Sequence, residues 1–162
     1  MRRTAAILAG ACAAVASTGA AAPATLGAPA AAACSPRLSF GVLPVWARSG
    51  FSDPRPRLPH AVGRGGRIAA LVFGYPLLSP PSRTRANKIL WVPRRPPAAF
   101  TALRIHAQRM DGTRPLGRPV RVVLAGGAGP SIVDFPAPGC WRLTLRWAGT
   151  SDTLDLRYRA NR

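Results

Sequence analysis

Residues 139–147 read GCWRLTLRW, a glycine and a cysteine followed by apolar and polar residues in strict alternation. Alternation at period two marks a β-strand with one buried face. It sets Trp141, Leu143, Leu145 and Trp147 on one side, with Cys140, Arg142, Thr144 and Arg146 on the other. The next run, TLDLRYR (153–159), alternates as well, and the two segments read as a hairpin. Inward residues are odd-numbered in the first run and even-numbered in the second, so opposed positions sum to an odd number. One register of this kind pairs Trp147 with Leu154, Leu145 with Leu156 and Leu143 with Tyr158. It leaves Gly149–Asp152 as a four-residue loop and sets Arg146 opposite Asp155 on the outer face.

Working outward, the chain from residue 66 onward is all strand and turn. RIAALVFGY (67–75) is a nearly continuous apolar run that suits a central strand buried on both faces, and NKILWVPR (87–94) is a second candidate strand. TALRIHAQR (101–109) alternates, with Leu103, Ile105 and Ala107 opposed to Arg104, His106 and Gln108. Asp111-Gly112 supplies a turn, RPVRVVLA (118–125) alternates through Val120, Val122 and Leu124, and SIVDF (131–135) is short and bounded by prolines. Outside the N-terminal segment no window of helical length has a 3.6-residue period. About seven short strands joined by turns predict an all-β chain, an antiparallel immunoglobulin-like β-sandwich. Cys140 and Trp141 are neighbours and point to opposite faces. If Trp141 is core, a disulfide at Cys140 lies outside the core or at its margin and tethers another segment.

The N-terminus carries Arg2-Arg3, an uncharged apolar stretch from Thr4 to Ala22, and small residues that suit signal peptidase. This pattern predicts a secretory signal over residues 1–33. A retained membrane anchor is the alternative, disfavoured by an apolar stretch made mostly of alanine. Residues 34–65 are rich in Pro and Arg, and their prolines forbid a helix. They also carry Phe40, Leu43, Trp46 and Phe51, which fits an extended arm lying over a β-sandwich domain at 66–162. A free linker is the other reading.

The 23 basic residues face five aspartates and no glutamate, for a net charge of +18. An exported chain so basic is drawn to polyanions, such as cell-wall polymers, lipid headgroups or free nucleic acid. Arg142, Arg146, Arg157 and Arg159 share the outer hairpin face and form the candidate polyanion surface. No nucleic-acid module is visible, and Trp141 and Trp147 point inward instead of offering stacking platforms.

Of three cysteines, Cys12 falls within the signal. Cys34 and Cys140 remain, and in an oxidising compartment a disulfide between them is the default expectation. A loop of about 100 residues closed in this way is stabilised by about 4–5 kcal/mol in the chain-entropy model. Lipid on Cys34, suggested weakly by AAAC at 31–34, would leave Cys140 unpaired. No accompanying ligands support a metal site, and no motif ties His60 or His106 to Cys140 as an activating base.

Other chemistry finds little support. LAGGAGPS (124–131) lacks the lysine and following helix of a phosphate-binding loop and reads as a connection between strands. Ser131, His106 and Asp134 could be imagined as a triad, but no nucleophile elbow surrounds Ser131. Five scattered aspartates offer no acid–base pair for glycoside hydrolysis. No catalytic, cofactor-binding or metal-ligating residues are assigned.

Asn87-Lys88-Ile89-Leu90-Trp91-Val92, Gly129-Pro130-Ser131-Ile132-Val133, Gly139-Cys140-Trp141 and Asp152-Thr153-Leu154-Asp155-Leu156 together resemble a group of small bacterial secreted proteins of unknown function. The resemblance spans most of the chain after the signal, including Cys34 and the arm. It implies export, an immunoglobulin-like β-sandwich and a cysteine pair, and it implies no activity. The expected function is an exported, non-enzymatic binding or accessory protein of the cell envelope. Its partner would be an envelope protein or an anionic cell-wall polymer, with no specific nucleic acid and no membrane contact beyond the signal or a lipid anchor. A basic structural protein held by charge alone and a hydrolase with an unrecognised site are the alternatives.

Overall fold

The structure, a computed structural model, describes residues 33–161. The expected signal segment, apart from Ala33, and Cys12 lie outside the described residues. The described residues are all-β, with nine strands where about seven were expected: β1 (His60–Val62), β2 (Ile68–Val72), β3 (Leu78–Ser79), β4 (Lys88–Pro93), β5 (Leu103–Asp111), β6 (Arg114–Leu124), β7 (Pro130–Ile132), β8 (Gly139–Trp147) and β9 (Thr150–Ala160). The two extra strands, β1 and β3, are too short to leave a periodic signature, and prolines crowd both. Four strands form one sheet in the order β1-β2-β4-β7, and five form a second in the order β3-β9-β8-β5-β6. Neighbours pair antiparallel except β3, which runs parallel to β9.

One apolar cluster joins the sheets. Ile68, Ala70, Ile89 and Trp91 of the first sheet bury themselves with Leu103, Ile105, Leu143, Leu145 and Leu156 of the second. The period-two reading of β5, β8 and β9 therefore placed the inward residues correctly. β2 is buried along its whole length, as its unbroken apolar run implied. Ile68, Ala70 and Val72 enter the shared core, while Ala69 and Leu71 turn to the other side.

That other side is covered by the N-terminal segment. Cys34 forms a disulfide with Cys140, and the Cys34 N–H donates to Gly112 O. From there the chain reaches the first sheet, bridging Ser39 to His60 and Val42 to Arg57. A short 3-10 turn at Val45–Ala47 follows. Leu43 and Ala47 are fully buried against Ala69 and Leu71, with Trp46, Phe51 and Leu58 packed around them. Proline suits such a segment because it contributes few ladder hydrogen bonds and needs none. At its end the segment supplies β1, which completes the edge of the first sheet.

The β8–β9 hairpin keeps the expected faces and changes the expected register. Trp147 pairs with Thr150, Leu145 with Asp152, Leu143 with Leu154 and Trp141 with Leu156. The connection is a two-residue turn, not a four-residue loop, with Ala148 at φ 43° and Gly149 at φ 71°. Two consecutive left-handed residues are what a type I′ turn requires, and its twist matches the strands it joins. Gly149 adopts this conformation freely, whereas Ala148 carries a steric cost that no turn motif in the sequence announces. The new register moves Asp152 into the ladder and sets Asp155 opposite Arg142, so the expected Arg146–Asp155 pair is replaced by Arg146 opposite Ser151.

Several buried polar groups hold the far end of the sheets together. Asn87 Oδ1 accepts from the Leu78 N–H, and its Nδ2 donates to Leu78 O and to Asp134 Oδ1. The Tyr158 hydroxyl donates to Val133 O and Ser79 Oγ donates to Phe135 O. Burial raises the Tyr158 phenol well above its ordinary pKa, with the Asp134 charge adding to the shift. These contacts pin residues 133–135, where β-pairing stops after Ile132 and the expected strand is cut short.

Candidate functional site

The five aspartates define the electrostatics, because each already has a partner. Asp53 accepts from the Arg55 N–H and Asp134 from Asn87. Asp111 pairs with Arg114 in the open. Asp152 occupies an inward position at the end of β9, where an unpaired carboxylate would be costly. It accepts instead from three backbone N–H groups, those of Gly65, Arg67 and Thr153, at 2.7, 2.8 and 2.7 Å. A Cβ on Gly63 would collide with this carboxylate, so the β1–β2 loop requires glycine there.

Asp155 is the second buried carboxylate and lies on the outer face beside the disulfide. It accepts from Arg142 Nε at 3.0 Å, Arg64 Nη2 at 2.7 Å and the Ser35 N–H at 2.9 Å. Burial pushes its pKa up, but the hydrogen bonds from Arg142, Ser35 and Arg64 outweigh that and hold it below the ordinary carboxylate value. The carboxylate thus ties the start of the arm and the β1–β2 loop to β8.

The four arginines expected to form a polyanion surface do share the outer face, but the structure divides them. Arg142 is committed to Asp155, with its side chain only 16% exposed. Arg157, opposite Cys140, and Arg159 are exposed further along β9, where Arg159 lies 5.8 Å from the Tyr75 ring centroid. Arg146 belongs to another group. It stands directly opposite Arg104 on β5, and Arg121 on β6 lies opposite His106, two residues along β5 from Arg104 and on the same face. Arg104, Arg121 and Arg146 are all exposed, and none has a carboxylate within ion-pairing distance among the described residues. Like charges set opposite each other across a ladder are destabilising. The sequence placed Arg104 and His106 on the polar face of β5, but only the strand order β8-β5-β6 brings Arg104 and Arg121 beside Arg146.

His106 is exposed, as expected. His60 is buried with its ring Nδ1 2.8 Å from Leu58 O. Ser131 accepts from Trp91 Nε1 on the first sheet, while His106 lies on the outer face of the second. Facing sheets are about 10 Å apart, so the imagined triad is not assembled. LAGGAGPS connects β6 to β7. Among the described residues no group of three His, Cys, Asp or Glu side chains is placed to hold a metal, and no helix is long and apolar enough to cross a membrane.

Fold and site together define a class: a two-sheet all-β protein whose N-terminal segment is fastened by a disulfide and covers one outer face, leaving the other exposed and basic. Compared with known proteins, the chain matches no family model, no curated protein and no solved structure.

Proposed function

We propose that this is an exported, non-enzymatic binding protein of the cell envelope, built as an immunoglobulin-like β-sandwich, which engages an anionic partner through the outer face of its five-stranded sheet. Strand order supports the immunoglobulin-like reading. β2, β4 and β7 stand where strands A, B and E of that fold stand, and β9, β8 and β5 where G, F and C do. The disulfide supports an oxidising destination, and the N-terminal sequence supports export.

The observation that carries the function is the directly opposed Arg104–Arg146 pair with Arg121 beside it. Folding alone gains nothing from this arrangement, whereas an anion laid across the face relieves it. The test is retention of the protein on native cell-wall material at rising salt, compared with an R104A/R146A variant. Retention that falls with salt and drops in the variant is expected. Equal retention of both proteins, or none for either, would sink the reading.

A further inference from the structure

The basic face does not end at the sheet. At the turn end of the β8–β9 hairpin an open cleft of about 630 Å³ is lined by Arg67, Arg94 and Arg95 together with Trp147, Gly149 and Ser151. A second concavity shares Trp147, Gly149, Thr150 and Ser151 with this cleft and continues to Arg104 and Arg146. A third shares those two arginines and runs on to His106 and Arg121. The three therefore adjoin through shared lining residues and form one row. It starts on the loop ends of the first sheet, passes the hairpin turn and crosses the outer face of the second sheet.

Six exposed arginines mark its course, and among the described residues no carboxylate lines any part of it. Asp152, the nearest acid below the Gly65–Arg67 loop, is buried and already accepts three backbone N–H groups. Arg67 is held in place by donation from Nη1 to Ser151 O, and the Arg94 N–H donates to Arg67 O. The Arg67 guanidinium is thus held against the hairpin, and the backbone that carries Arg94 is tied to the backbone that carries Arg67.

Resting on the function proposed above, we infer that this row of concavities is a track for a linear polyanion, a flexible chain bearing one oxyanion charge per repeat, either phosphate or carboxylate. Shape selects a chain over a bilayer. A planar surface cannot touch the cleft at the hairpin end and the outer sheet face together, whereas a chain can bend round the turn. A single small anion would engage one arginine cluster and leave the other unmatched. Of the two aromatic rings lining the track among the described residues, the Trp147 indole is only 5% exposed, and only the His106 imidazole is open to solvent. One imidazole is no row of platforms on which successive nucleic-acid bases could stack, which favours a polymer without bases.

The test uses the exported, disulfide-bonded protein and its R67A/R94A/R95A and R104A/R146A variants, with folding checked by thermal melting. Binding is measured by titration against long-chain polyphosphate, polygalacturonate, orthophosphate, phosphatidylglycerol vesicles and single-stranded DNA. Wild type is expected to bind polyphosphate or polygalacturonate, the tighter of the two assigning phosphate or carboxylate chemistry. Each variant should lose about tenfold or more, with a salt slope lower by about one per arginine removed. Orthophosphate should bind weakly and equally to all three proteins. Undiminished polymer binding by R67A/R94A/R95A overturns the track and leaves the sheet-face reading standing. Retention on wall material that neither polymer competes away does the same. Tighter binding of vesicles or of single-stranded DNA than of both polymers also overturns it. Loss of retention on wall material itself, independent of any polymer, is the separate failure of the parent reading.

Discussion

The outer faces of the two sheets are treated in opposite ways. On the first sheet Ala69 and Leu71 turn outward and would be exposed, but Leu43 and Ala47 of the N-terminal segment bury them completely. On the second sheet the outward positions of β5, β8 and β6 carry Arg104, Arg146 and Arg121, which remain in water. A sheet that is apolar on both sides must be covered twice, and the N-terminal segment provides the second cover. The exposed sheet has the alternation of one solvated side. Because the arm is fastened beside that solvated face, at Cys140 and Asp155, its attachment can be tested apart from the surface it leaves open.

The largest effect should come from the covered face. Leu71→Ala removes a fully buried side chain beneath the arm and is expected to cost about 2–5 kcal/mol. It should also speed proteolysis within residues 48–57, measured by denaturant melts and limited digestion. A near-neutral result would mean that the arm does not form a second core. Next is the tether. Cys140→Ser should lower stability by about 2–4 kcal/mol and loosen the same segment, while the β-sheet signal in circular dichroism persists. Intact mass before and after reduction checks the bond in the unmodified protein. An added lipid mass would refute it.

A pH effect follows from Asp155. Its pKa is lowered on folding, so its stabilising contribution is present above the unfolded value of about 3.9. That contribution is lost as pH falls from there through the folded value. Acid melts should show the loss, and Asp155→Asn should flatten this limb of the stability profile. The smallest effect belongs to the open face. Arg146→Ala should change stability by less than about 1 kcal/mol, and in the stabilising direction, because it removes a like-charge neighbour of Arg104. Destabilisation comparable to Leu71→Ala would erase the contrast between the two faces.

Much of this architecture was legible in advance. The alternation in GCWRLTLRW and TALRIHAQR correctly assigned each side chain to a face, and the apolar run of β2 announced a strand covered on both sides. The outward position of Cys140 beside an inward Trp141 placed the disulfide off the core, where it is found. The candidate site was half legible. Arg146 was identified, but Arg142 proved to be neutralised by Asp155, and Arg67, Arg94 and Arg95 come from loops far apart in sequence.

The sequence by itself determined which residues point inward and which outward, because side-chain direction in a strand depends only on parity along one chain. Tertiary structure decided which residues meet. Registers differing by four in their pair sum keep every face unchanged, so parity could not choose between Arg146–Asp155 and Arg142–Asp155. The choice came from the left-handed turn at Ala148-Gly149 and from the Gly65–Arg67 loop, whose N–H groups accommodate Asp152 at an inward position. The loop that receives Asp152 lies more than eighty residues away in sequence, and no local pattern in the hairpin encodes it.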